Sequence, residues 1–289
     1  MPFKNILDMH THSDNSPDGN HSMTLMCEFA VSQGLRALAI TDHCECNQYR
    51  GHKYDRSIRQ SYFEAVKARS VFSGRLIVAA GIELGQPLQD MDACREALAA
   101  NHYDFVLCSL HNVTGVPDFG NFDPSLKETD YEENIRARYR TPGNPYRECV
   151  KKYYDELARM IDRVDFDSLA HFTYPLRYIC GVAGMPLDMA EIREQTDDCL
   201  FRLAKRERAL EINTSGLRWP QGWNCTMPGF DLIKRFKDLG GKYVTVGSDA
   251  HYFNHIGTGI QEGMELAKNA GFDEVTLFLK RQPVGIRIA

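Results

Sequence analysis

Ten histidines are spread over 289 residues, and six of them, His10, His12, His43, His111, His171 and His251, stand at or just after the ends of short apolar runs. Two carboxylates, Glu83 in GIELG and Asp249 in GSDAH, occupy the same kind of position. In DMHTH the histidines are two residues apart, as are Asp249 and His251 in SDAH. In an extended chain that spacing turns both side chains to one face, where they can grip one ion. A lone histidine is ordinarily a satisfied structural residue, whereas a group of neutral imidazoles gains a purpose only when a metal uses its lone pairs. A carboxylate among imidazoles suits Zn, Fe or Mn and can bridge two ions. These ligands predict two to three divalent transition metals.

Other residues near these motifs are expected to do less. Cys44 and Cys46 follow His43 directly, but the N and O donors already fill a ligand shell, so both are read as core thiols. Asp8 and Asp42 are expected to orient ligands rather than bind metal. His21, His52, His102 and His255 lie off the strand ends and are assigned to the surface or to caps. Glu211 and Asn213 share a strand face, and either lines a pocket, orients a ligand or satisfies local backbone. Tyr174, Tyr178, Trp219, Trp223 and Tyr252 flank the motifs and either wall a pocket or pack the rim.

The elements that must position these groups alternate between short apolar runs and longer amphipathic stretches, the pattern of repeated β-α units. Seven strands are predicted, at 6–9, 37–40, 76–80, 105–110, 168–170, 209–212 and 243–246. Helices are predicted at 24–33, 58–72, 93–99, 145–163, 188–206 and 230–239. Residues just past the strands of such a barrel face its active-site mouth. No linker or repeat interrupts the alternation, so residues 1–289 are expected to form one domain. Residues 112–144 form the one long loop; its Asp118, Asp123 and Asp130 are read as solvated surface, with substrate contact as the alternative.

Composition narrows the function. The longest apolar run, Leu76 to Ile82, is far below the roughly 18 residues of a membrane-spanning helix. The start, MPFKNILDMHTH, has no apolar core of a secretory signal, and nine scattered cysteines without a CxxC pair suit reduced thiols, so a cytoplasmic protein is expected. A net charge of −5 without a Lys/Arg tract argues against nucleic acid as a partner.

DMHTHSDNSPDG, ITDH, GIELG, SLHN, HFTYPLRY, EINTSGLR and GSDAH follow one another over nearly the whole chain. Together they resemble the polymerase and histidinol phosphatase (PHP) superfamily, most closely its histidinol-phosphatase branch. The resemblance implies a distorted (β/α)7 TIM-like barrel with a trinuclear metal centre at the carboxyl ends of its strands. In that pattern His10, His12, Glu83 and Asp249 hold a first metal, Glu83 bridges to a second completed by His111 and His171, and His43, His251 and Asp18 hold a third. A turn-forming role for Asp18 before Gly19 is an equal alternative. Arg177 in HFTYPLRY and Arg218 in NTSGLR follow strand ends where a planar guanidinium can clamp a phosphate, and the resemblance places phosphate-binding arginines in the same motifs. With Glu83 and Asp249 they form the expected catalytic set. The implied activity is hydrolysis of a small phosphorylated substrate, L-histidinol phosphate, by hydroxide that the metals generate. The alternatives are another small phosphate ester or nucleotide, and an amidohydrolase-type C–N hydrolase.

Overall fold

Parallel strands that are covered on both sides read as continuous apolar runs, and IVAAGIELG is such a run. In the computed structural model, which describes residues 3–116, 118–119, 145–182, 184, 186–218 and 224–289, it is the long strand β4 (Ile77–Gly85). It lies in a parallel sheet with β1 (Leu7–Thr11), β2 (Ala37–Ile40), β5 (Phe105–Ser109), β6 (Ser168–Leu169), β7 (Ala209–Asn213) and β8 (Val244–Gly247), in the order β1-β2-β4-β5-β6-β7-β8. The edges β1 and β8 meet: Asp249 N–H donates to His10 O at 2.8 Å and His12 N–H to Ala250 O at 2.9 Å. The result is a distorted seven-stranded (β/α) barrel.

An eighth short strand, β3 (His43–Glu45), was not expected. It continues the line of β2 after Thr41 and Asp42 and pairs with the upper half of β4, His43 opposite Glu83. Around the barrel run α1 (Met23–Ser32), α2 (Tyr54–Val71), α3 (Met91–Ala99), α4 (Pro145–Arg163), α5 (Arg193–Lys205), α6 (Phe230–Asp238) and α7 (Ile260–Asn269). The helix expected at 188–206 is divided into a 3-10 turn, Met189–Ile192, and α5. Other elements not anticipated from the sequence include α7 and the antiparallel hairpin of β9 (Glu274–Leu279) and β10 (Gln282–Arg287). The hairpin covers the amino end of the barrel, where Phe278 stacks on Phe105 at 5.3 Å. Of the long loop, residues 112–116, 118 and 119 are described; Asp123 and Asp130 lie outside the described residues, as do Trp219 and Trp223.

Candidate metal centre

The hydrogen bonds of the buried histidines fix which ring nitrogen carries a proton. His10 Nδ1 lies 2.7 Å from Glu211 Oε1, and a carboxylate only accepts, so His10 donates there and keeps a lone pair on Nε2. Ser16 Oγ gives its one hydrogen to Asp42 Oδ1, so its 3.2 Å contact with His12 Nδ1 is a bond that His12 donates. The lone pair of His12 is then also on Nε2. His111 Nδ1 donates to Glu45 Oε1 at 3.0 Å, which leaves its Nε2 lone pair facing Glu83.

These lone pairs converge. Donor atoms bound to one ion at about 2.0–2.2 Å lie roughly 3–3.5 Å from one another. His10 Nε2 and His12 Nε2 are 3.0 Å apart, and 3.3 and 3.4 Å from Glu83 Oε2. Asp249 Oδ1 is 3.6 and 3.4 Å from the same two nitrogens. The other oxygen of Glu83, Oε1, is 3.2 Å from His111 Nε2 and 3.1 Å from His171 Nε2, themselves 3.3 Å apart. Asp18 Oδ2 stands 3.0 Å from His251 Nε2 and 3.5 Å from His43 Nε2. The rings of His43 and His251 both stack near His12, with centroids 4.3 and 4.2 Å from it and 5.7 Å from each other. His43 Nδ1 is 3.0 Å from Glu83 Oε2 yet is not aligned as a hydrogen bond. The donor set therefore fits multinuclear binding of divalent metal, and every residue that the motifs nominated as a ligand is in this cluster.

The electrostatics favour cations. Burial works to raise the Glu83 pKa, but the imidazoles of His43 and His10 overcome it and hold the carboxyl well below its ordinary range. Asp249 is lowered against burial in the same way, chiefly by His10. Burial, reinforced by His251 and His43, lowers His12 to about 3, so it is neutral at pH 7. His10 is raised despite its burial, because Glu211, Asp249 and Glu83 draw positive charge to it.

The supports reach deeper than the ligands. Asp8 accepts from Ser248 N–H at 2.8 Å and from Gly257 N–H at 2.9 Å, tying the turn that carries Asp249 to β1. Asp42 accepts from Ser13 N–H at 2.6 Å and from the Ser16, Ser13 and Ser61 hydroxyls, so it reaches His12 only through Ser16. Glu211 is an orienting residue: besides His10 it accepts from His171 N–H at 2.7 Å and from Asn213 Nδ2 at 3.2 Å. Asp249 and His171 have left-handed backbone (φ 54° and 23°), a cost that sites tolerate when surrounding bonds determine it. Gly247 has no choice of residue, because a Cβ there would lie 2.4 Å from His10 Cβ and 2.6 Å from Glu211 Oε1.

The cluster forms one wall of a cavity of about 950 Å3, and Arg177 and Arg218 line it as well. Arg177 is buried and donates to Ser215 Oγ at 3.0 Å, with its guanidinium over the Tyr178 ring. Arg218 donates to Ser248 O at 2.6 Å and Asp249 O at 3.0 Å, so it also anchors the turn bearing Asp249. Tyr174, Tyr178 and Tyr252 line the cavity. His52 is exposed, as expected of a surface residue, and both it and His255 stand in the wall of the open cavity. Glu45 was missed; its signal was the alternation HCE, which sets it on the same face as His43. Cys44 and Cys46 are buried thiols outside the cluster, as expected.

A parallel barrel with an imidazole and carboxylate cluster at the carboxyl ends of its strands defines a class, the metal-dependent hydrolase barrels. The sequence profile of the PHP domain matches residues 8–215, and the chain belongs to that family. Among its relatives are a "probable histidinol-phosphatase" of Thermotoga maritima, 29% identical over 93% of this chain and 94% of its own, and the histidinol-phosphatase of Lactococcus lactis, 25% identical over 94% of both. A crystal structure of the Lactococcus lactis histidinol phosphate phosphatase, complexed with Zn, L-histidinol and phosphate, superposes with a TM-score of 0.70 at 25% identity, covering 96% of this chain and 98% of that one. A structure from Listeria monocytogenes has a TM-score of 0.73 at 20% identity over 89% and 99%, a likeness of fold.

Proposed function

We propose that this chain is a metal-dependent phosphomonoesterase that hydrolyses L-histidinol phosphate to L-histidinol and phosphate, a step of histidine biosynthesis. The observation that carries the reading is the Glu83 carboxylate, one oxygen facing His10 and His12 and the other His111 and His171, in a cavity that also holds two arginines. The relatives named above support the substrate. His10, His12, Asp249 and Glu83 Oε2 would hold one ion, His111, His171 and Glu83 Oε1 a second, and His43, His251 and Asp18 a third, drawn from Zn, Fe or Mn. Such ions supply Lewis acidity toward phosphate oxygens and a water acidic enough to deprotonate near neutral pH.

The chain's own groups do the rest. Arg177 and Arg218 bind the phosphoryl oxygens and offset the charge that builds on them during in-line attack. Ser215 holds Arg177 in place, while Glu211 and Glu45 keep His10 and His111 in the tautomers that leave Nε2 free to ligate. Residues 1–289 act as one domain in this reading, in the cytoplasm. Among the described residues no helix is long and apolar enough to cross a membrane. A C–N hydrolase of the amidohydrolase type finds less support, since the described cavity lining contains two arginines and no lysine.

The test is phosphate release by Zn- and Mn-loaded protein from L-histidinol phosphate and a panel of other monoesters. The reading predicts the highest kcat/KM for L-histidinol phosphate. A nucleotide or sugar phosphate cleaved faster would move the assignment to another phosphoesterase.

A further inference from the structure

One wall of the cavity presents two side-chain amides, each with one pole tied and the other open. Gln86 follows β4 directly, is only 2% exposed and lines the cavity. Its Oε1 accepts from His111 N–H at 3.1 Å, and because a backbone N–H needs an oxygen there, this bond settles which end of the amide is which. Nε2 is the other end, and among the described residues nothing accepts from it. Asn112, also in the lining, is the reverse case. Its Nδ2 donates to Val116 O at 2.6 Å and Val113 O at 3.2 Å, so Oδ1 is the end that no described residue donates to. The loop bearing Asn112 is held from behind. The buried carboxylate of Glu156 accepts from Thr114 N–H at 3.0 Å and from the Thr114 hydroxyl at 2.8 Å, and Gln89 Nε2 donates to Asn112 O at 3.2 Å. Gln86 itself keeps a left-handed backbone (φ 52°), which costs a residue with a Cβ free energy.

These amides stand across the mouth from the arginines. Gln86 and Asn112 follow β4 and β5, whereas Arg177 and Arg218 lie past β6 and β7, and in the closed ring β4 and β7 are as far apart as the strand order allows. We propose that Gln86 Nε2 and Asn112 Oδ1 form the subsite for the far end of the leaving alcohol, an uncharged polar group that offers an acceptor to Gln86 and a donor to Asn112, as a neutral imidazole or a carboxamide does. This rests on the phosphomonoesterase reading above and extends it from the phosphate to the group that departs. An ester whose phosphoryl group is held by the arginines beside the metal cluster extends its other end toward β4 and β5. An amide N–H in a buried wall gains from a partner and loses when an apolar group covers it. A site with a fixed donor and a fixed acceptor therefore rejects an apolar analogue of similar size, because its own polar atoms are then left unpaired.

The experiment measures kcat/KM in metal-loaded protein at about pH 8, where imidazole is neutral, for two matched pairs of esters: L-histidinol phosphate against L-phenylalaninol phosphate, and the phosphate of 3-hydroxypropanamide against that of 3-methylbutanol. Wild type should favour the polar member of each pair. Gln86→Glu retains an oxygen for His111 N–H and turns the open pole from donor to acceptor, so the preference should fall about tenfold, the upper range for one neutral hydrogen bond, with metal content as in wild type. Asn112→Ala should lower the preference as well. A preference unchanged in Gln86→Glu overturns the proposal, and so does a loss shared equally by both members of each pair, which a merely structural role would give. Equal kcat/KM within both pairs in wild type, a result that needs no variant to fold, overturns it too. If L-histidinol phosphate alone is cleaved poorly, the substrate assignment fails while the carboxamide pair still decides the subsite; if no ester is cleaved, the phosphomonoesterase reading fails and the subsite falls with it.

Discussion

At the amino end of the barrel Asp104 and Asp167 are as deeply buried as Glu83 at the carboxyl end, yet the surroundings are opposite. Asp104 accepts from Ala80 N–H at 2.9 Å and Lys280 N–H at 3.0 Å and pairs with Arg69. Asp167 accepts from Val106 N–H at 2.8 Å and pairs with Arg281 of the terminal hairpin. Each carboxylate there finds its cation and its N–H donors within the chain. At the carboxyl end Glu83 and Asp249 face a crowd of imidazoles, with no guanidinium or backbone N–H paired to either carboxylate among the described residues, and imidazoles can exchange a proton for a metal ion. The lesson is that one end is electrostatically complete as folded and the other is arranged around charge from outside, so damage to the two ends should appear in different measurements.

The sharpest break comes from Glu83→Ala. A carboxylate facing both ligand sets should cost at least about 1,000-fold in kcat/KM, near 4 kcal/mol, and lower metal content by more than one ion, while the chelator-treated variant keeps nearly the wild-type melting temperature. Asp18→Ala should be much milder; equal, mild losses in kcat would end the bridging assignment. The mirror experiment is Asp167→Ala, which leaves the Arg281 guanidinium and the Val106 N–H without their acceptor. Urea titration should show stability lower by about 2–4 kcal/mol, with metal bound per folded chain unchanged.

Arg177→Ala should lose about 1.5–3 kcal/mol of transition-state binding, a tenfold to hundredfold fall in kcat/KM, with full metal content. Lys at that position should rescue only in part, because a point charge does not reproduce the planar fork. Arg218→Ala should match that kinetic loss and also release metal, since its guanidinium holds the carbonyls of Ser248 and Asp249. Full metal occupancy in the Arg218 variant would show that the anchor is dispensable. For Glu211→Gln, which disturbs the His10 tautomer without removing a ligand, the effect falls on metal affinity. Competition with a chromogenic chelator should find binding weaker by about tenfold to hundredfold.

The ligands were legible because most ride on local motifs: an HxH or DxH pair in extended chain announces its own geometry. Glu45 was not, since its HCE alternation points to the site only once residues 43–45 are known to pair as a strand with β4. The helix α7 was hidden by Gly257, Gly259 and Gly263, which read as breakers. Gly263 is needed there because a Cβ would lie 2.6 Å from Val246 Cγ1, so close packing on β8 selects a poor helix former. In the hairpin, Pro283 in β10 weakened the strand pattern, although an outer strand accommodates a residue without an N–H. The second role of Arg218 depends on carbonyls 30 and 31 residues away and leaves no sequence trace.

Gly247 bears on how this site can change over generations. With His10 and Glu211 occupying the space a methyl group would need, the position admits no stepwise route to another residue: even alanine must displace a ligand and the carboxylate that orients it. A lineage could drift freely at most exposed helix positions while this one stays closed, and a saturation library at 247 screened for turnover should return the parent codon family alone.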